Sequence, residues 1–182
     1  MKLEKKIVTL KNGAVCVLRS AETKDAQQMI DNLRVTAGET DFLLRTPEEV
    51  DYTVEQEEKI LADTEQASRA LMLVAEVDGE IVGICNLNPA GRRSRVRHRC
   101  TMGISMVSKV WGLGIGTAMM AVLLEQAKEV GFEQIELEVV GANERAIALY
   151  KKMGFVETGR VPKALKNADG SYYDNILMMR EL

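Results

Sequence analysis

The chain holds a single histidine, His98, and three cysteines, Cys16, Cys85 and Cys100, none of them paired as CxxC. A site built from several histidines is excluded, and so is a zinc ribbon. An odd number of widely spaced cysteines does not make a disulfide scaffold, so a reducing setting, the cytoplasm, is expected. No stretch reaches 18 consecutive apolar residues, and no membrane span or membrane partner is expected. Residues 1–6 are charged and lack the apolar core of a signal peptide behind them. Repeats and Pro- or Ser-rich linkers are missing too. What is present is 182 residues, 46% apolar and 28% charged, at net charge −3. Those are ordinary globular values, which exclude disorder and fibrous repeats. One domain over residues 1–182 is expected, large enough to bury about 70% of its unfolded surface. The acidic balance argues against nucleic acid as a partner.

Apolar periodicity organises the chain. Residues 6–19 alternate around Asn12-Gly13, a hairpin signal. Ala26, Met29, Ile30 and Leu33 recur at helical spacing within residues 23–37. Thr46, Pro47 and Glu49 form a capping box with proline in first position, predicting a helix from there to about Asp63. Residues 71–77 and 81–88 are apolar runs parted by Asp78-Gly79-Glu80, a second hairpin, and residues 95–107 read as another strand. Met119, Met120, Leu123, Leu124 and Ala127 mark a helix over 115–130, followed by a strand over 133–140. Ala146, Leu149, Tyr150 and Met153 mark a helix from Asn143 to a C-cap at Gly154. Strands over 155–161 and 172–179 complete the order ββααβββαβαββ.

Between the strand ending near Val107 and the helix at Ile115 lies Trp111-Gly112-Leu113-Gly114-Ile115-Gly116-Thr117. A glycine turn opening a helix presents several main-chain N–H groups and the positive end of the helix dipole, an arrangement suited to phosphates. Without side chains, the backbone can approach the anion. The glycine spacing is GxGxG, whereas the dinucleotide fingerprint needs GxGxxG. Thr117 follows Gly116 directly, without the lysine of a P-loop. A pyrophosphate held by backbone alone remains, beside the plainer alternative of a close-packed helix start.

About thirty residues on, Asn143, Ala146, Leu149-Tyr150 and Gly154-Phe155 stand at a spacing that resembles the GCN5-related N-acetyltransferases (the GNAT family). Within that family the sequence is similar to the ribosomal-protein and spermidine acetyltransferase branches. The glycine turn resembles the family's acetyl-CoA loop, Arg/Gln-x-x-Gly-x-Gly/Ala, with Trp111 where Arg or Gln is usual. Residues 103–107 and 169–178 look like the family's as well. The resemblance implies an α/β (α+β) fold: a twisted, mixed, mostly antiparallel sheet of about seven strands flanked by helices. A parallel strand pair near Ser105 and Leu137 should splay apart at its centre. It also implies transfer of acetyl from acetyl-CoA to a primary amine of a small molecule or a protein, with no metal. A CoA-binding regulatory protein without chemistry is the alternative, and a homodimer is left open.

The resemblance assigns cofactor binding to Met106, Val107, Gly112, Leu113, Gly114, Ile115, Gly116, Thr117, Asn143, Ala146 and Tyr150. Met106 or Val107 would give the N–H facing the thioester carbonyl. Tyr150 would protonate the departing thiolate, the alternative being a core tyrosine satisfied by backbone. A lysine-like amine is protonated at neutral pH, and removing that proton costs about 4–5 kcal/mol, so a proton acceptor is required. Glu138 is the assigned base, with Glu136, His98 and a water chain as alternatives. Two charge clusters stand apart. Arg92, Arg93, Arg95, Arg97 and Arg99 crowd eight residues without aromatics, a solvated turn or a docking surface for an acidic partner. Residues 39–65 are acidic, and Glu39 and Asp41 are candidate contacts for a cationic acceptor.

Overall fold

A computed structural model describes residues 2–182. Strands β1 (Lys6–Thr9) and β2 (Val15–Ser20) form the first hairpin across Asn12-Gly13. Helix α1 (Ala26–Gly38) buries Ala26, Met29 and Ile30, and helix α2 (Val54–Gln66) buries Leu61. Next come β3 (Leu71–Val77), β4 (Glu80–Pro89), β5 (Arg99–Met106), helix α3 (Ile115–Glu129), β6 (Gln134–Val140), helix α4 (Glu144–Lys152), β7 (Val156–Lys166) and β8 (Tyr172–Glu181). The strands make one sheet in the order β1-β2-β3-β4-β5-β6-β8-β7, eight rather than about seven.

Every neighbouring pair is antiparallel except β5 and β6. Their parallel pairing joins residues 99–101 to 134–136 and goes no further, although both strands continue. The expected splayed pair is therefore present.

The two faces of the sheet are covered differently. On one, Met119, Met120, Leu123 and Ala127 of α3 pack with Ile135, Leu137, Val139, Ile176 and Met178. Each fully buried Met or Leu there stabilises by roughly 1.5–3 kcal/mol. On the other, α1 and α2 cover β3 and β4 through Met29, Leu61, Val74, Ile81 and Ile84. Strand alternation then sends Glu136, Glu138, Asn175, Leu177 and Met179 to this second face, away from α3. The helices α1 and α2 reach it only in part.

A buried charge network fixes the start of α1. Arg19 of β2 donates to both carboxylate oxygens of Asp25, at 2.6 and 2.9 Å, and to Glu76 of β3 at 2.9 Å. Asp25 also accepts the Glu22 N–H at 2.8 Å.

Several boundaries differ from expectation. The Thr46–Glu49 capping box is real, but it closes only a 3-10 turn (Pro47–Glu49), because Val50 leaves helical geometry at φ −87°, ψ 73°. Helix α2 starts later, on a second box in which Thr53 accepts from Gln56 N–H at 3.2 Å and Gln56 accepts from Thr53 N–H at 2.8 Å. It runs to Gln66, beyond Asp63. Strand β5 begins at Arg99, since Ser94–Val96 is a 3-10 turn. Strand β7 continues past Val161 to Lys166, with a register shift on the way that its alternation does not reveal.

Candidate active site

The candidate site is the gap between β5 and β6. In the antiparallel ladder with β4, alternate amides of β5 point toward β4, and Val107 N–H is one of them, bonded to Val82 O at 3.0 Å. The N–H of Met106 therefore points to the other side, where β6 has already diverged. Of the two amides proposed from the sequence, Val107 is engaged within the sheet and Met106 faces the gap.

Below the gap lies the glycine turn. Gly112 and Gly114 sit at φ 79° and 101°, in the left-handed region that favours glycine. Those two conformations curl the chain so that α3 starts with Gly114 as its N-cap and no side chain across its first amides. No main-chain acceptor engages the N–H groups of Gly112, Gly114, Ile115, Gly116 or Thr117 among the described residues. Leu113 is held differently: its N–H reaches Val110 O at 3.4 Å and its carbonyl accepts Lys11 N–H at 3.2 Å. Gly116 serves packing, since an added Cβ would lie 3.0 Å from Met106 Cε and 3.1 Å from Leu149 Cδ2. The backbone thus offers a cradle for an anion in front of the helix dipole, and close packing of the helix start is present with it. Gly114→Ala should cost about 1–2 kcal/mol in the left-handed turn and weaken acetyl-CoA binding about tenfold. Isothermal titration reads this directly.

Trp111 explains its own place in the motif. Its Nε1–H donates to Met106 O at 2.8 Å, and the Arg145 guanidinium lies 4.9 Å from its ring centroid. An indole here braces the end of β5 instead of contacting a phosphate with a charged group. Asn143 caps α4, its Oδ1 accepting Ala146 N–H at 3.1 Å. Tyr150 of α4 is buried with its ring 5.9 Å from that of Phe155. Burial, then the neighbouring Cys85, pushes its phenol up to about 12, so it stays protonated at neutral pH.

The three candidate bases separate cleanly. Glu136 is tied to Arg99, with Arg99 Nη2 2.7 Å from Oε2, and that hydrogen bond holds its carboxyl below the usual range. His98 sits just before β5 begins, eight residues from Met106, about 26 Å along an extended strand. Glu138 alone is an exposed carboxylate on the gap, with one hydrogen bond, from Asn175 Nδ2 at 3.2 Å. It lines a cavity of about 640 Å³ with Arg99, Met102, Thr158, Leu177 and Met179. Neither acidic acceptor contact enters that cavity: Glu39 bonds Ser108, and Asp41 is an exposed residue of the α1–α2 connection. The sequence reading assigned no site role to Asn175, Leu177 or Met179; their signals are alternation along β8 and, for Asn175 and Leu177, the family-like segment 169–178. The exposed Arg92, Arg93, Arg95 and Arg97 lie on the β4–β5 connection, at the far end of β5 from the glycine turn.

Comparison with known proteins agrees with this geometry. Residues 39–155 match the model of the acetyltransferase (GNAT) family. The chain belongs to that family and is an N-acetyltransferase. It is 31% identical to the L-amino acid N-acetyltransferase AaaT of Escherichia coli over 166 residues, covering 90% of this chain and 96% of that one. An N-alpha-acetyltransferase of Sulfurisphaera tokodaii is 38% identical over 98 residues, 48% of this chain, which spans 58% of that relative. Among solved structures, a GNAT-family acetyltransferase from Streptococcus pneumoniae superposes with TM-score 0.88 at 30% identity, covering 92% of this chain and 99% of that one. The yncA protein of Salmonella typhimurium, solved with acetyl-CoA, has the same fold at TM-score 0.80 and 17% identity, covering 92% and 94%. The unpaired amides and the open strand gap fit acetyl-CoA as co-substrate.

Proposed function

We propose that the protein transfers acetyl from acetyl-CoA to the primary amine of a small molecule by direct attack on the thioester, and that an L-amino acid is the acceptor to test first. The single observation that carries the reading is the gap itself, with the unpaired Met106 N–H on one strand and the Glu138 carboxylate on the other. Acetyl-CoA supplies the activated acyl group. The amides of Gly112, Gly114, Ile115, Gly116 and Thr117 hold its diphosphate, with Leu113 shaping the turn. The pantetheine arm passes Asn143 and Ala146, and the Met106 N–H faces the carbonyl oxygen, where negative charge develops.

Glu138 accepts the ammonium proton, directly or through one water, and the amine lone pair then attacks the carbonyl carbon. Tyr150 gives its proton to the thiolate as the C–S bond breaks. A thiol is a good leaving group, with an ordinary pKa near 8.5, so this proton matters less than the first. Tyr150→Phe should lower kcat about tenfold, short of the usual range for general acids, and leave acetyl-CoA affinity unchanged. Equal turnover in the variant removes Tyr150 from the chemistry.

An amino-acid acceptor rests on two supports: the similarity to AaaT over nearly both chains, and a cavity in which Leu177 and Met179 give an apolar wall beside Glu138. The test is an acceptor screen at saturating acetyl-CoA, following free thiol. Turnover on L-amino acids with apolar side chains is expected. Turnover confined to peptides moves the acceptor class to proteins, and binding of acetyl-CoA with no turnover on any amine favours the regulatory alternative.

A further inference from the structure

Glu39 is the residue the acetyl-transfer chemistry leaves over. It stands at the C-cap of α1, on the acceptor side of the sheet. Its two carboxylate oxygens take two hydrogen bonds from one residue 69 positions away: Ser108 N–H at 2.6 Å and Ser108 Oγ–H at 2.7 Å. A carboxylate receiving both donors of a serine fixes that residue's direction as well as its position.

Ser108 is the corner at which β5 becomes the turn. Just before it, Val107 N–H is held by Val82, and Met106 O accepts the Trp111 indole. Just after it, Trp111 N–H bonds Ser108 O at 3.0 Å, and Gly112 begins the cradle. Ser108 itself is exposed, and no packing of its side chain against the core holds the corner in place. Beyond Glu39, the α1–α2 connection reaches β8, where the Phe42 ring meets that of Tyr173 at 5.8 Å. One short segment therefore touches the cofactor turn at one end and the acceptor-side strand at the other.

We infer that Glu39 is a positioning residue: by clamping Ser108 it sets the aim of the Met106 amide and the shape of the glycine turn, and it ties both to the α1–α2 connection. The inference rests on the acetyl-CoA reading of the turn. It assigns Glu39 a role different from the direct acceptor contact expected from charge alone.

The test uses the full chain and acetyl-CoA as probe, so no acceptor need be known. Trp111 is the only tryptophan, which makes its emission a report on this corner alone. Glu39→Ala should raise the acetyl-CoA Kd about fivefold, and Ser108→Ala about threefold, from the loss of exposed charge-assisted hydrogen bonds. The double variant should bind no more weakly than Glu39→Ala, because both changes remove one shared contact. Trp111 emission should shift to the red in all three, and Glu39→Gln, which keeps one acceptor oxygen, should fall between. Lys109→Ala, which breaks the adjacent Lys109–Glu80 pair but not the clamp, should leave Kd unchanged.

A lowered Tm with unchanged Kd and emission would reduce Glu39 to a helix-end support and overturn the inference, as would additive effects in the double variant. Should Glu39→Ala not fold, Ser108→Ala decides alone. Failure of the unaltered protein to bind acetyl-CoA removes the cofactor reading itself, and this inference with it, whereas normal binding in every variant removes this inference only.

Discussion

Glu138→Gln should lower kcat by about two to four orders of magnitude, the usual worth of a positioned proton acceptor, and leave the acetyl-CoA Kd as it was. The amide keeps the size of the side chain and an oxygen for Asn175, whose Nδ2 lies 3.2 Å away, so the loss isolates proton transfer from packing. The amine must shed a proton before it can attack, and Glu138 is a carboxylate on the gap with no cation holding it among the described residues. The same change at Glu136 should do far less to the chemistry, because Arg99 already neutralises that group. Steady-state kinetics on both variants with one acceptor measures the contrast. A loss of less than tenfold at Glu138 hands the proton to water. The deficit should also shrink at high pH, where the free amine forms without help.

The second large effect concerns stability. Asp25→Asn should destabilise the protein by about 3 kcal/mol, the low end for breaking a buried ion pair, because Glu76 still partners Arg19. For a chain of this length that corresponds to a Tm roughly 10 °C lower. Burial alone would raise the Asp25 pKa, but the Arg19 hydrogen bonds and the Glu22 amide outweigh it, and the group sits below the ordinary aspartate value. A carboxyl with a depressed folded-state pKa stabilises the fold above its unfolded pKa, and that contribution is lost as pH falls through the folded value. The unaltered protein should therefore lose stability below about pH 4, and the Asn variant should lack that part of the slope. Glu57 works in the opposite sense: burial raises its carboxyl, so its contribution grows as pH falls. Urea titrations at several pH values separate the two, since only the Asp25 part disappears in the variant.

Much of the architecture was legible because single elements carry their own signals. The α3 stripe of Met119, Met120, Leu123, Leu124 and Ala127 is buried as its spacing predicts. The Asn12-Gly13 and Asp78-Gly79 turns close their hairpins with Gly13 and Gly79 at positive φ. The Thr46–Glu49 box misled because a capping box stabilises any first helical turn. Whether a helix follows depends on residues beyond it, and Val50 does not continue the turn.

Chain order and residue type determined by themselves the two motifs and the αβ rhythm between them, and with those the family and its co-substrate. Local rules reach that far because a glycine at φ 101° or an asparagine over a helix end is chosen by its own backbone. The different surroundings of Glu136, Glu138 and His98 are set only by tertiary structure. Two carboxylates two residues apart on one strand face are identical to any periodic reading. What separates them is Arg99 on the adjoining parallel strand and Asn175 on β8, partners brought near by the order of strands across the sheet. The same holds for Met106 over Val107, because an amide is free or engaged only by virtue of where the next strand runs.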